Sequence, residues 1–242
     1  MPDRGQVSLD AAVPTNRSAP ENASLPSDFA LVDQVGVYSK VGKRAIDFLL
    51  SLFGLILLSP LLLIISGLIK LNSPGPVLFR QHRVGKDGKL FRILKFRSMV
   101  NGAQHIGNGI ATANDGRVTT LGSFLRKWKL DELPQLWNVL KGDMSLVGPR
   151  PELPSYVAEY TDEQKGVLKA KPGITDPASL RYRHEGLALQ RSSDPERVYR
   201  ERILPDKLSL SLQYVRNISF ARDLSLLLST LKSVVKSSDT NE

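Results

Sequence analysis

Two adjacent carboxylates, Asp131 and Glu132, stand in the stretch RKWKLDELPQLWNVLKGDMSLVGPRPE, with Arg126, Lys127, Lys129 and Arg150 close by in the chain. On a helix, neighbouring side chains point about 100° apart, so one carboxylate can react while the other tunes it or coordinates a cation. Pro134 is tolerated in a first helical turn, which puts Asp131 at a helix start. Backbone N–H groups at such a start favour a phosphate. A carboxylate beside a phosphate needs a divalent cation or basic side chains to offset the repulsion. The plain alternative is that Asp131 is an N-cap and Glu132 a solvated first-turn charge.

Two further groups belong to the same chemistry. Gly148-Pro149-Arg150-Pro151 holds one Arg between prolines. Such a rigid loop can serve as a preformed phosphate clamp, because Arg pairs bidentately with phosphate oxygens. It can equally be a turn with a solvated Arg. Lys95-Phe96-Arg97 falls on a strand pattern, and alternation puts Lys95 and Arg97 on one face. A basic strand face can hold pyrophosphate or lipid phosphate; otherwise it is simply solvated.

What is missing narrows the chemistry. The sequence has no phosphate-loop GxxxxGK[ST], no GxGxxG after a strand, no HExxH and no GxSxG. It has no Cys, which excludes disulfides, thiolate metal sites and a cysteine nucleophile. Three His leave little room for a His-rich metal centre.

The elements that must carry these residues begin with a membrane segment. Residues 40–100 hold 11 Lys/Arg against Asp47 and Asp87, which equals the whole net charge of +9. Inside that block, Phe48 to Ile69 is a run of 22 residues without a charge. A helix of that length spans about 33 Å, close to the bilayer hydrocarbon thickness. Ser59-Pro60 sits near its middle, where Pro removes a backbone donor and disturbs the helix, while a Ser hydroxyl can satisfy the group left free. Basic residues flank both ends: Lys40, Lys43 and Arg44 before, Lys70, Arg80, Arg83 and Lys86 after. A spanning helix would put one basic flank outside, against the positive-inside tendency. The expectation is therefore a re-entrant membrane helix over 40–71, broken at Ser59 and Pro60. The alternatives are a Pro-kinked spanning helix and a buried core helix.

Residues 1–39 read as a disordered tail, rich in Pro, Ser, Asn and Ala. A cytoplasmic-face domain is expected over 72–236, with a short tail over 237–242. Val77 to Lys95 predicts a β-hairpin around Asp87-Gly88. Residues 101–116 read as a mobile loop. Helical patterns cover about 118–129, 132–141, 152–169, 194–204, 206–217 and 219–236. The last carries Leu224, Leu227, Leu228, Leu231 and Val235 on one face, as an interfacial helix would. An ordinary surface helix packed on the core shows the same pattern. The fold class is α+β and mostly helical, with a small hairpin and interfacial helices around a compact catalytic domain.

KRAIDFLLSLFGLILLSPLLL, GPVLFRQHRVGKDGKLFRILKFRSM, LRKWKLDELPQLWNVLKGDMSLVGPRPELP, KPGIT and YVRNISFARDLSLLLSTL occur in that order. In order and spacing they resemble the bacterial sugar transferase family, the monotopic phosphoglycosyl transferases, over about residues 40 to 236. The resemblance implies transfer of a sugar 1-phosphate from a UDP-sugar to polyprenyl (undecaprenyl) phosphate, with UMP leaving. It implies the first lipid-linked step of a surface glycan, at the cytoplasmic face of the bacterial inner membrane, in contact with phospholipid. Asp131 is then the nucleophile, forming a phosphosugar intermediate with Mg²⁺ at Asp131, and Glu132 its partner carboxylate. Lys95, Arg126 and Arg150 match basic positions near the phosphates; with Arg97, Pro149 and Pro151 they make the expected substrate-binding set. A homodimer is left open. The chain departs from the family pattern at PGITDPASLRYRHEG, where Arg181, Arg183 and His184 are candidates to contact the donor or plain solvated charges. Two other classes compete: an idle membrane scaffold of a glycan assembly complex and a nucleic-acid binder. The second lacks any recognition signature and leaves the apolar run unexplained.

Overall fold

The computed structural model describes Tyr38 and residues 42–103, 115–183, 185–190 and 192–236. The tail expected over 1–39, Tyr38 apart, lies outside the described residues, as do 237–242, His184 and most of the loop expected over 101–116.

The apolar run forms α1, Lys43–Asn72, an uninterrupted 30-residue helix with Pro60 inside it. Pro60 has no N–H for the Ile56 carbonyl four residues back, and Ser59 Oγ donates to that carbonyl at 2.8 Å instead. The break expected at Ser59 and Pro60 is therefore absent from the helix: the Ser-Pro pair repairs its own gap. Only 11% of the most apolar stretch of α1 is buried, which excludes the core-helix reading. One stripe does pack: Asp47, Ser51, Ile65 and Ile69 are buried at helical spacing.

Both ends of α1 are tied to the same globular body. Near its start Arg44 donates to the carbonyls of Val139 and Leu140 at 2.6 and 2.8 Å. Those carbonyls belong to the last turn of helix α3, Gln135–Lys141, where the Val139 carbonyl also accepts from Gly142 N at 3.0 Å. Asp47 Oδ1 accepts from Leu146 N at 3.0 Å. Near its end Ile65 and Ile69 pack with Phe96 and Leu125.

The hairpin forms as expected. Strand β1, Leu78–Val84, pairs antiparallel with β2, Leu90–Phe96, in the register Leu78↔Phe96 to Val84↔Leu90. Asp87 (φ 55°) and Gly88 (φ 75°) both take positive φ at the turn, the signature of the type I′ turn that Asp-Gly favours. Helix α2, Thr120–Lys127, is capped by Thr119, whose side chain accepts from Gly122 N. A Cβ at Gly122 would stand 1.9 Å from the Ser98 carbonyl, so only Gly lets α2 lie against the end of the hairpin.

A parallel pair follows that the sequence pattern does not reveal: β3, Ser145–Val147, and β4, Gly173–Thr175. Three residues are too few to carry a period-two signal. The helix expected over 152–169 is instead the short α4, Pro154–Val157, and a 3₁₀ segment Gln164–Lys169. Helix α5, Pro177–Arg181, is capped by Asp176, and α6 is Glu185–Gln190. The two helices expected over 194–204 and 206–217 run on without a break. Helix α7, Pro195–Val198, passes through a π-helical segment, Tyr199–Ile203, into α8, Leu204–Arg216. Pro205 lies within this continuous run, directly after the π-helical segment.

The last helix, α9, is Phe220–Lys236. Its expected apolar face divides. Leu226 and Leu227 pack against a core that includes Ile93, Val139, Met144, Leu146, Val147 and Tyr214. Phe220, Leu224, Leu228 and Leu231 remain exposed. Asp223, buried on the same helix, accepts from Tyr214 Oη at 2.6 Å and Tyr38 Oη at 2.7 Å, and pairs with Lys43 Nζ. The helix is thereby pinned to the start of α1.

Candidate active site

Asp131 and Glu132 lie in a 3₁₀ turn, Leu130–Glu132, one turn ahead of α3. The sequence expectation of a helix start is thus correct in place, but the α-helix begins four residues after Asp131. Lys129 enters the turn in the left-handed region (φ 56°), which sharpens the bend after α2. Leu130, beside the pair, packs on the cluster formed by Ile65, Ile69, Phe96 and Leu125. The apolar floor of the carboxylates is therefore shared with α1.

The two carboxylates, both buried, have opposite surroundings. Glu132 Oε1 accepts from Lys95 Nζ at 2.7 Å and from Arg150 Nη2 at 2.8 Å. Asp131 Oδ1 is buried and, among the described residues, has no hydrogen-bond partner. Burial pushes Glu132 up, but Arg150 and Lys95 outweigh it and hold the group well below the usual carboxylate range. Asp131 is raised above the usual range, first by burial and then by the Glu132 charge, with Lys95, Lys129 and Arg126 opposing. Glu132 therefore fixes the two cations, and Asp131 keeps an oxygen free and poorly solvated. Such an oxygen is a stronger nucleophile than a hydrogen-bonded one.

These groups line a cleft of about 1330 Å³ together with Arg126, Arg97 and Lys129. Arg126 Nε donates to Ser98 Oγ at 3.0 Å, made possible by the close approach at Gly122. The β1–β2 pairing carries one residue past Phe96, with Arg97 N donating to the Val77 carbonyl at 2.9 Å, and Lys95 and Arg97 both border the cleft, as alternation predicts. The Arg97 guanidinium also donates to the Ser73 carbonyl at 2.6 Å and to Ser73 Oγ at 2.9 Å, closing the end of α1.

Pro149 and Pro151 frame Arg150 rather than line the cleft. The Pro149 carbonyl accepts from Gly173 N at 2.9 Å, and the Pro151 carbonyl from Arg83 Nη1 at 3.1 Å. A Cβ at Gly173 would lie 2.1 Å from Gly148 N, so the GPRP loop and the PGIT strand fit only as glycine against glycine. Asp176, fully buried, accepts from Ser179 N at 2.7 Å, Ser211 Oγ at 2.9 Å and Arg150 N at 3.4 Å. The departure after PGIT thus supplies both the cap of α5 and a support for Arg150. Of the three candidates there, Arg183 lines the cleft. Arg181 does not, and it faces Asp206 at 3.5 Å. Sequence reasoning missed Ser98, Asp176, Glu152, Lys207 and Tyr199, because each acts through a partner far away in the chain.

Mg²⁺ fits this donor set in one way only. Among the described residues no group of three or more His, Asp or Glu gathers into a cage. Mg²⁺ is commonly held by one or two carboxylates, water and substrate phosphates. The Asp131 carboxylate meets that description with one of its two oxygens, which leaves the other to attack.

Residues 38–237 match the family described as bacterial sugar transferase. A UDP-N-acetylgalactosamine-undecaprenyl-phosphate N-acetylgalactosaminephosphotransferase from Aeromonas hydrophila is 38% identical over 196 residues, covering 80% of this chain and 43% of the relative. A UDP-glucose:undecaprenyl-phosphate glucose-1-phosphate transferase from Escherichia coli (strain K12) is 40% identical over 193 residues, 78% of this chain and 39% of the relative. The exopolysaccharide production protein ExoY from Sinorhizobium fredii is 33% identical over 224 residues, 85% of this chain and 92% of the relative. The chain thus spans less than half the length of the first two and nearly the whole of the third. Because the match takes in both the apolar helix and every wall of the carboxylate cleft, this chain belongs to the bacterial sugar transferase family.

Proposed function

We propose that the protein transfers a sugar 1-phosphate from a UDP-sugar to polyprenyl phosphate, undecaprenyl phosphate in bacteria, at the start of a surface glycan. The observation that carries this reading is the unpartnered Asp131 oxygen beside a Glu132 already occupied by Lys95 and Arg150. An Asp131 oxygen attacks the β-phosphorus of the donor. The bond from that phosphorus to the bridging oxygen breaks, and UMP leaves. A sugar phosphate remains on Asp131 as an acyl phosphate. A phosphate oxygen of the polyprenyl phosphate then attacks the same phosphorus, breaks its bond to Asp131, and leaves as polyprenyl diphosphosugar. Arg150, Lys95 and Arg126 balance the charge of the phosphates. Asp131, with donor phosphates and water, would hold Mg²⁺, which would supply further charge neutralisation.

The acceptor demands a site at the membrane surface. The exposed apolar face of α1 and the row Phe220, Leu224, Leu228 and Leu231 on α9 suit a bilayer interface. Both ends of α1 pack on one globular body, which supports re-entry from the cytoplasmic face rather than a span. Single cysteines in place of Lys40 and Asn72 are expected to react with an impermeant thiol reagent only from the cytoplasmic side. Labelling of the two from opposite sides overturns re-entry.

The reaction is tested by nucleotide release in nanodiscs with undecaprenyl phosphate, Mg²⁺ and a panel of UDP-sugars. UMP that depends on lipid and stops with EDTA is expected. UDP would mean plain glycosyl transfer and overturn the Asp131 mechanism. Neither nucleotide would favour an idle scaffold.

A further inference from the structure

The cleft continues past Arg150 into a pocket that the phosphate chemistry does not use. Lys207, 7% exposed, lines it. Its ammonium pairs with Glu185 and stands 5.1 Å from the centre of the Tyr199 ring and 5.8 Å from that of Tyr182. A lysine so enclosed is held in one place, unlike a solvated one. The Glu185 side chain is a third exposed and borders the same cleft. The Oγ of Ser179, also on the wall, is buried without a hydrogen-bond partner. Tyr199 Oη donates to Glu152 at 2.9 Å, two residues after Arg150, so the pocket is rigidly joined to the phosphate end.

We propose that Glu185 and Lys207 form a carbohydrate subsite that reads a vicinal diol of the donor. Glu185 Oε2 is buried against Lys207, so its other oxygen accepts from the hydroxyls, and the ammonium donates to one of them. Tyr182 and Tyr199 hold the ammonium in place, and Ser179 Oγ offers one more polar contact. Glu185 and Tyr182 come from the segment in which this chain departs from the family pattern, and Lys207 from α8. A pocket built from such a segment is suited to set which sugar is accepted. Both the hexosyl ring and the ribose carry such a diol, and the experiment separates them.

The inference rests on the transferase reading. The test measures UMP release by wild type, Glu185→Gln and Lys207→Met in nanodiscs, with UDP-hexoses that are epimers at C4 and with the 2′-deoxyuridine form of the best donor. Loss of a charge-assisted hydrogen bond should raise the donor KM about 10- to 100-fold with kcat changed far less. If the hexosyl ring is read, the preference between epimers shrinks in Glu185→Gln while the 2′-deoxy penalty stays. If the ribose is read, the 2′-deoxy penalty disappears and the epimer preference stays. Unchanged KM in Glu185→Gln, or a fall in kcat at unchanged KM, overturns the subsite. Glu185→Gln is isosteric at a partly exposed position, so it decides the matter even if Lys207→Met fails to fold. No UMP from wild type with any donor defeats the transferase reading instead.

Discussion

Asp131→Asn is expected to abolish UMP release while leaving the protein as stable as wild type or more so. The amide keeps the shape of the side chain but cannot form an acyl phosphate. Removing the nucleophile of a covalent route should cost about 10⁴-fold or more in rate. The stability half follows from the surroundings. Asp131 is buried, has an oxygen with no partner, and sits beside the Glu132 charge. Burial first, and Glu132 second, raise its pKa. A raised carboxylate binds its proton more tightly in the folded protein, so its ionised form opposes folding at neutral pH. A neutral side chain removes that opposition. Sites that store such cost for function often gain stability when disarmed.

Three measurements check this: UMP release, the melting temperature and the membrane-bound fraction. Activity near the wild-type level would end the nucleophile assignment. A melting temperature several degrees lower would mean that the Asp131 charge is compensated by something other than the groups named here. Membrane association should not change, because the exposed apolar residues that suit a bilayer lie on α1 and α9.

The sequence displays the local features of this fold and hides the distant ones. Asp87-Gly88 dictates a type I′ turn within four residues, and the hairpin follows. Twenty-two uncharged residues dictate an apolar helix whatever its neighbours do. Pro60 does not end that helix, because the Ser59 hydroxyl takes the carbonyl that Pro60 leaves free and the packed stripe from Asp47 to Ile69 holds both halves. The pattern over 152–169 misleads for the opposite reason: Tyr156 and Val167 are buried, but on separate short turns around the core of α8.

The site divides in the same way. The short distance between Asp131 and Glu132 makes the pair visible in the chain, and the prolines around Arg150 announce a rigid loop. Their division of labour is invisible there. It depends on Lys95, 37 positions away, and on Arg150, 18 positions away, meeting the same oxygen of Glu132. The support of Arg150 by Asp176, and the Glu185–Lys207 pair, likewise exist only once α5, α6 and α8 have packed.

Glu132→Gln should do the reverse of its neighbour's substitution and unsettle the fold. Glu132 compensates two cations in a buried place, with Lys95 18% and Arg150 34% exposed in their side chains. Removing one partner of a buried pair strands the others, at a typical cost of 3–5 kcal/mol. Because Arg150 keeps some water, the lower end, about 3 kcal/mol, is expected. The sign with pH is fixed by Glu132 lying well below its ordinary value. A depressed carboxylate stabilises the fold above its unfolded pKa and loses that contribution as pH falls through the folded one. The gap between wild type and variant should therefore be full at neutral pH and shrink on acidification below about 4.5. Activity should also fall, because freed Lys95 and Arg150 can turn to Asp131 and take up the oxygen that must attack. A double variant, Glu132→Gln with Lys95→Met, removes a stranded charge as well. It should regain part of the stability and none of the activity. Denaturant midpoints measured at pH 7 and pH 4 provide the check. A single variant as stable as wild type at both would mean that Lys95 and Arg150 do not depend on Glu132, and the separation of roles between the two carboxylates would fall with it.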